Sequence, residues 1–309
     1  MKNNFLFACL ILANIQAFAQ KKIDVTFESI PENFLKNSSK VVVDRSEINE
    51  IVSQNTINQK FSEINLIQNE TGLNNVDKSV VYDKLSKVRS IEFKIYNAKG
   101  ELVKTFKEKD FGDRSLADGF SVLTDNRMKY LNPKYYQYPF FTKFDYEIEN
   151  ENTIFVPPFS PIQSSDDKIM QATYQLSYPV GFTIKKVENN LSAFNVSTTS
   201  NAQSITYKAS NIIAPEYEEL NTQYTKLLPT ARFANNTFGL GNVKGIANSW
   251  DEFGVWYHAN FIDGLDALPE TTVTKMKKLT QEATTDIERA KIIFNYVQNN
   301  TRYISIQIG

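Results

Sequence analysis

Histidines, cysteines and clustered carboxylates are the residues that most often carry side-chain chemistry near neutral pH, because each can move a proton, attack a carbonyl or hold a metal. This sequence of 309 residues offers one histidine, His258, and one cysteine, Cys9. Cys9 falls inside an apolar run, Phe5 to Ala13, that follows Lys2 and precedes Ala17 and Ala19 flanking Phe18. That is the build of a secretory signal cleaved before Gln20, and only four apolar residues precede Cys9, too few for a lipoprotein signal. A chain without residues 1–19 would hold no cysteine at all. It could form no disulfide, offer no thiolate nucleophile and supply no cysteine ligand, and a single histidine excludes a multi-histidine metal site. No catalytic, cofactor-binding or metal-binding residue is therefore assigned, and no cofactor is expected.

Two other clusters bear weighing. Asp110, Asp113, Asp118 and Asp125 lie near Gly112 and Gly119, the oxygen-rich setting a hard cation such as Ca²⁺ favours. They do not have the alternating spacing and distal Glu of an EF-hand loop, and Asx-turns explain the same residues without an ion. Tyr130, Tyr135, Tyr136, Tyr138, Phe140 and Phe141 crowd around Pro133 and Pro139. Exposed, they could stack on a sugar or a peptide; packed, they are hairpin core, which is the favoured reading. His258 lies in a helical stretch with no nucleophile partner and is read as an ordinary helix residue.

Composition sets the wider bounds. Hydrophobic residues make up 41% and charged residues 22%, a globular balance, and the 13% aromatic share leans towards pleated, half-buried surfaces. Loss of residues 1–19 leaves a formal charge of −2, so no basic field invites nucleic acid or anionic lipid. Beyond the leader no apolar run approaches the ~20 residues of a transmembrane helix.

From about Val41 to Phe194, period-2 alternation dominates, broken by turn residues. "SIEFKIYNAKGELVKTF" reads as a hairpin turning at Asn97 to Gly100, and "TKFDYEIENENTIFVPP" as a second, stopped by Pro157 and Pro158. "KIMQATYQLSY" is a long strand, and "AFNVSTTSNAQSITYKASN" a third hairpin with a loose loop over 198–204. Strands are also expected near Lys40–Glu47 and Lys60–Ile67. After about Gly239 the period becomes helical. Ser249 with Glu252, and Thr285 with Glu288, have capping-box spacing. Pro269 opens a helix carrying Val273, Met276, Leu279 and Ala283, and the helix after Thr285 turns Ile287, Ala290, Phe294 and Val297 inward. Ile304, Ile306 and Ile308 then alternate as a half-buried strand. The expected class is mainly β or α+β. Residues 20–238 form an antiparallel β-sandwich-like domain, and 239–309 a helical segment.

The stretch "VRSIEFKIYNAKGELVKTFKEKDFGDRSLADGFSVLTDNRMKYL", followed by "FDYEIENENTIFVPPFSP", resembles a β domain of unknown function that precedes a transglutaminase-like core in exported bacterial proteins. "SWDEFGVWYHANFIDGLDALPETTVTKMKKLTQEATTDIERAKIIFNYVQNNTRYISIQIG" resembles the lead-in to that core. The resemblance implies a papain-like α+β core in which a cysteine at a helix N-terminus, a histidine and an acidic residue act on amides. No position here matches any of the three, and in that family the histidine follows the cysteine, which His258 does not. The expectation is a non-catalytic, periplasmic or extracellular portion of a transglutaminase-like protein, cut before its cysteine. The alternative is a self-contained binding module for an envelope protein, peptide or cell-wall polymer.

Overall fold

The computed structural model describes residues 22–302 except 118, 120, 121 and 222, and residues 122, 123 and 305–307 as backbone. The leader 1–19 with Cys9, together with Asp118, Tyr303, Ile304 and Ile308, lies outside the described residues.

In chain order the strands are β1 (Lys40–Ser53), β2 (Thr56–Ile67), β3 (Lys78–Tyr82), β4 (Ser86–Asn97), β5 (Leu102–Lys107) and β6 (Gly112–Ser115). There follow β7 (Val122–Thr124), β8 (Arg127–Leu131), β9 (Phe140–Asn150), β10 (Lys168–Ser177), β11 (Ile184–Asn189) and β12 (Ser197–Asn201). The last are β13 (Ser204–Ile213), β14 (Thr230–Asn235), β15 (Thr237–Leu240), β16 (Val243–Ile246) and β17 (Ser305–Gln307). Two single-turn helices, α1 (Glu32–Leu35) and α2 (Tyr224–Leu227), lie among them, and α3 (Trp250–Tyr257), α4 (Glu270–Leu279) and α5 (Asp286–Asn300) follow β16.

The fold is mainly β, in the α+β sense. Its spine is one sheet of eight strands ordered β12-β13-β10-β1-β2-β9-β4-β5. Alternation builds this sheet as expected. The hairpin β4–β5 turns at Asn97 to Gly100, where Gly100 takes φ +76° and a Cβ would strike the carbonyl oxygen of Val25 at 2.5 Å. The 197–213 hairpin forms too, with a tighter turn at 201–204 than the loose loop expected.

Two pairings differ from the sequence reading. β9 has no hairpin return strand: residues 153–158 run as a loop with an isolated bridge on either side, Asn152 to Leu240 and Phe159 to Ala231, and β9 pairs instead with β2 and β4. Pro157 and Pro158 cannot donate to a ladder, so the segment crosses the sheet instead of joining it. In addition β1 pairs with β10 in parallel, so the spine is mixed. The remaining neighbours in the spine are antiparallel.

One face of the spine carries two apolar cores side by side. In the first, Tyr174, Tyr207 and Ile169 pack under Phe159, Ala231 and Phe233, with the ribbon β11–β14 above. In the second, Phe93, Ile95, Phe140 and Phe144 pack under Val80, Phe111 and Leu131, with the sheet β3-β8-β6 above. The opposite face has a smaller core in which Ile30 and Phe34, around α1, cover Val41, Leu66, Tyr96 and Phe141. Thus Phe140 and Phe141 enter different cores, as neighbours in a strand must.

The helices are joined to this body through the ribbon β15–β16. Asn55 Nδ2 donates to Gly241 O and Gln54 Nε2 to Gly245 O, both at 3.0 Å, and fix the ribbon to the β1–β2 turn. Gly245 lies beneath two rings; a Cβ there would meet Phe238 at 2.5 Å and Trp256 at 2.7 Å. Trp256 Nε1 donates to Lys244 O at 2.9 Å and holds α3 on the ribbon. β17 pairs in parallel with β7, with Ile306 opposite Leu123.

Candidate functional site

The expected candidates are dispersed. His258 ends α3 as an exposed residue at the start of a π-helical turn, His258–Ile262, and its carbonyl accepts from Asp263 N at 2.8 Å. Asp113 is neutralised by its neighbours: Tyr82 OH donates to it at 2.5 Å, Arg127 Nε at 3.0 Å and Lys129 Nζ at 3.4 Å. Asp110 accepts from the Lys107 amide at 2.8 Å, and among the described residues no group of acidic, histidine or cysteine side chains could hold a metal. The tyrosines around Pro139 are mostly packing: Tyr135 meets Phe140 edge-on at 4.8 Å, and the tilted ring of Tyr138 lies 5.7 Å from that of Phe140, while Tyr136 remains exposed.

What the fold does bring together is a polar seam between the two cores on one face of the spine. Arg45 on β1 and Glu63 on β2 lie opposite one another. Arg45 donates to Glu63 Oε2 from Nε at 2.8 Å and from Nη2 at 2.5 Å, and also to Pro161 O in the crossing loop. Lys78 Nζ and Asn65 Nδ2 donate to Glu63 Oε1 at 3.1 and 2.6 Å. Burial opposes ionisation of Glu63, but the charges of Lys78 and Arg45 and their hydrogen bonds prevail and hold its carboxyl at about 2. Glu47, two residues along the same face of β1, is raised to about 7 by burial above all, with Glu63 adding repulsion and Arg45 offsetting part of it. Tyr146, stacked on Phe61 at 4.9 Å, is pushed to about 12 by burial and by the same two carboxylates.

Two carboxyls held this far apart are the pattern of an acid and a base. Here the geometry speaks for structure instead. Glu63 has its acceptors filled by three side chains, Arg45 is tied off by a backbone carbonyl, and both residues are buried. Sequence reasoning missed the seam because polar residues alternating with apolar ones signal a solvent face. A second buried pair, Lys40 Nζ to Asp167 Oδ1 at 2.7 Å, anchors the start of β1 to the turn before β10 in the same way. That carboxylate also accepts from the amides of Gln163 and Ser164.

Open space of ligand size lies elsewhere, where strands meet helices. A concave pocket of about 500 Å³ is walled by Phe155 of the crossing loop, Phe238 of β15, and Trp250 and Phe253 of α3, with Asn235 and Lys185 at its margins. Its position follows from local sequence. Ser249 accepts from Glu252 N at 3.2 Å and starts α3 as its spacing predicts, while Glu252 reaches back to Asn248 N at 2.6 Å, so Trp250 and Phe253 are set at the helix start. Phe238 then meets Phe253 at 5.5 Å and Trp256 edge-on at 4.8 Å.

Comparison with known proteins adds the following. Residues 58–216 match the sequence profile of the family described as a domain of unknown function with solved structure, DUF3857. No curated protein matches the chain at a significant level. Among solved structures, a candidate protease from Parabacteroides distasonis superposes with a TM-score of 0.60 at 14% identity, over 85% of this chain and 50% of that one. The chain thus spans about half the length of that protein and shares its fold. A candidate nutrient-binding protein from Legionella pneumophila aligns at a TM-score of 0.31 and 7% identity, over 63% of this chain and 67% of the other. Yeast LTA4 hydrolase aligns at the same score and identity, over 63% of this chain and 28% of its own.

Proposed function

From the premise that this chain belongs to the DUF3857 family, we propose that it is the non-catalytic β module of an exported transglutaminase-like protein. In that reading the chemistry on protein or peptide amides is carried by a further body, and the module positions it.

One observation carries the reading. The helices expose the stripes that should be buried: Ile287, Phe294 and Val297 on α5 are exposed, contrary to the inward face expected, and so are Val255 on α3 and Leu279 on α4. α4 and α5 meet through Tyr296 instead, which receives a hydrogen bond from Lys275 Nζ at 2.8 Å and lies under that ammonium. A stripe of this kind at helical spacing fits helices that complete their packing against more protein. The shared fold with a candidate protease, of whose length this chain spans about half, is consistent with that.

The test uses the purified 309-residue chain with a protein amide substrate and a primary amine. Neither ammonia release nor amine incorporation is expected, before or after treatment with iodoacetamide. Activity that survives thiol alkylation would overturn the reading. A second reading, a self-contained module that binds an envelope protein or polymer, is favoured by the aromatic pocket.

A further inference from the structure

We infer that β7 is a docking strand: it adds in parallel to a sheet that β17 opens, and by it the β module holds the body beyond α5 through main-chain hydrogen bonds. The inference rests on the reading above that such a body exists, and it says where the module grips it.

β7 stands apart from its own layer. Its chain neighbours β6 and β8 pair with one another, with Ser115 opposite Arg127, and Leu116 N donates to Asn126 O at 2.9 Å to close the base of the connection that carries β7. Short polar side chains then steer both arms. Ser115 Oγ accepts from Ala117 N and Thr124 Oγ1 from Asn126 N, each at 3.1 Å, in the local turns that serine and threonine favour. Gly119 between them takes φ +72°, and a Cβ added there would meet no atom within 4 Å. The connection reaches out from the second layer instead of packing on it.

There it meets the strand after α5. Ser305, Ile306 and Gln307 of β17 lie opposite Val122, Leu123 and Thr124, in parallel, and among the described residues these two strands form a sheet of their own. A sheet that small is incomplete. Parallel strands pair slightly less stably than antiparallel ones, parallel sheets occur with both faces covered, and even an antiparallel pair is marginal in water without a third strand or a helix against it. Three residues a side therefore describe the edge of a larger sheet. β6 and β8 do not extend it, so the further strands belong beside β17, on the body that the exposed stripe of α5 also calls for. Strand addition of this kind takes its affinity from main-chain hydrogen bonds. With α3 seated on the ribbon β15–β16, β7 gives that body a second fixed point on the module.

The test exploits the single cysteine of the sequence. In a Cys9→Ser background, Leu123→Cys with Ile306→Cys puts two thiols on residues opposed in the ladder, about 4.8 Å apart and within the ~4.4–6.8 Å between Cα atoms that a disulfide spans. Oxidation with copper phenanthroline should close a disulfide within one chain, seen as faster migration on a non-reducing gel and reversed by dithiothreitol. Val81→Cys with Ile306→Cys, the first at an exposed position of β3, should close none. Hydrogen exchange then reads the hold itself. In wild type the amides of 305–307 should exchange about a hundredfold faster than those of β10, because the ladder lacks its outer neighbours, and the triple variant Val122→Gly, Leu123→Gly, Thr124→Gly should speed them about tenfold more. No disulfide within the chain, equal closure by the Val81 pair, a disulfide-linked dimer, or unchanged exchange in the glycine variant would overturn the docking strand. Protection equal to that of β10 would show the ladder complete and overturn the larger sheet. None of these readouts depends on amide chemistry, so the proposal and the non-catalytic reading fail separately.

Discussion

Phe93, Phe140 and Ile169 in the strand body retain no accessible surface, while on the helices Ile287 and Phe294 expose 82% and 64%. Both regions follow the periodicity of their sequences, so the difference is not one of local structure. Each of the three apolar cores on the spine has a second layer above it, supplied by β11–β14, by β3-β8-β6 or by α1. The stripe on α5 has nothing above it among the described residues. Amphipathic pattern therefore builds an element, and only a partner layer turns that pattern into stability.

The sharpest way to break this contrast is to hollow out the strand side. Phe140→Ala removes a ring enclosed by Tyr135, Tyr138 and the second core, and should cost about 3–5 kcal/mol in denaturant unfolding. A loss under 1 kcal/mol would mean that the second core is not closed. Next in size is the seam. Arg45→Met leaves Glu63 facing Lys78 alone and should cost about 3 kcal/mol. The double variant Arg45→Met, Glu63→Leu should recover most of that loss, because the penalty belongs to the stranded carboxylate and not to the missing attraction. Non-recovery would show that the pair itself holds the two cores in register.

The two seam carboxyls also give opposite pH dependences. Glu63, lowered from 4.5 to about 2, contributes stability that is complete above pH 4.5 and is lost as pH falls towards 2. Glu47, raised from 4.5 to about 7, keeps its proton in the fold after the unfolded chain has released it, so stability falls as pH rises from 4.5 to 7. The groups around it are Arg45 on its own strand, Glu63 on β2, Tyr146 on β9 and Tyr174 on β10. Glu47→Gln should remove the decline between pH 4.5 and 7 and stabilise the protein by about 2 kcal/mol at pH 8. An unchanged slope would place Glu47 in contact with water.

How far the sequence discloses this molecule depends on the range of the interactions. The turn at Asn97 to Gly100 and the caps at Ser249 and Thr285 are legible because each is decided within four residues; Thr285 and Glu288 exchange both capping hydrogen bonds, at 3.1 and 3.2 Å. The parallel union of β1 with β10 joins Val42 to Ile169 in the first core although the strands of the second core lie between them in the sequence, and no local pattern announces it. The seam is hidden for a related reason. Glu47, Glu63 and Lys78 look like solvent-facing residues until the strands that cover them are known. The pocket draws on Phe155, Asn235, Phe238 and Trp250, whose meeting depends on a crossing loop that reads as a strand. The sequence reading singled out none of these four residues as walls of one pocket.

The smallest effect belongs to the helices, and it tests the contrast from the other side. Ile287→Ser and Phe294→Ser replace apolar side chains that are already mostly in water, so each should change the stability of this chain by no more than about 0.5 kcal/mol. The same substitutions should lower binding of a hydrophobic dye, since they remove the stripe on which it would collect. Helix propensity changes little between Ile and Ser, so the comparison is not confounded by the backbone. A loss above 2 kcal/mol at either position would mean that the stripe is covered in solution, by a second copy or by another part of the chain. In that case α5 would be a finished element, and the case for a missing partner body would fall with it.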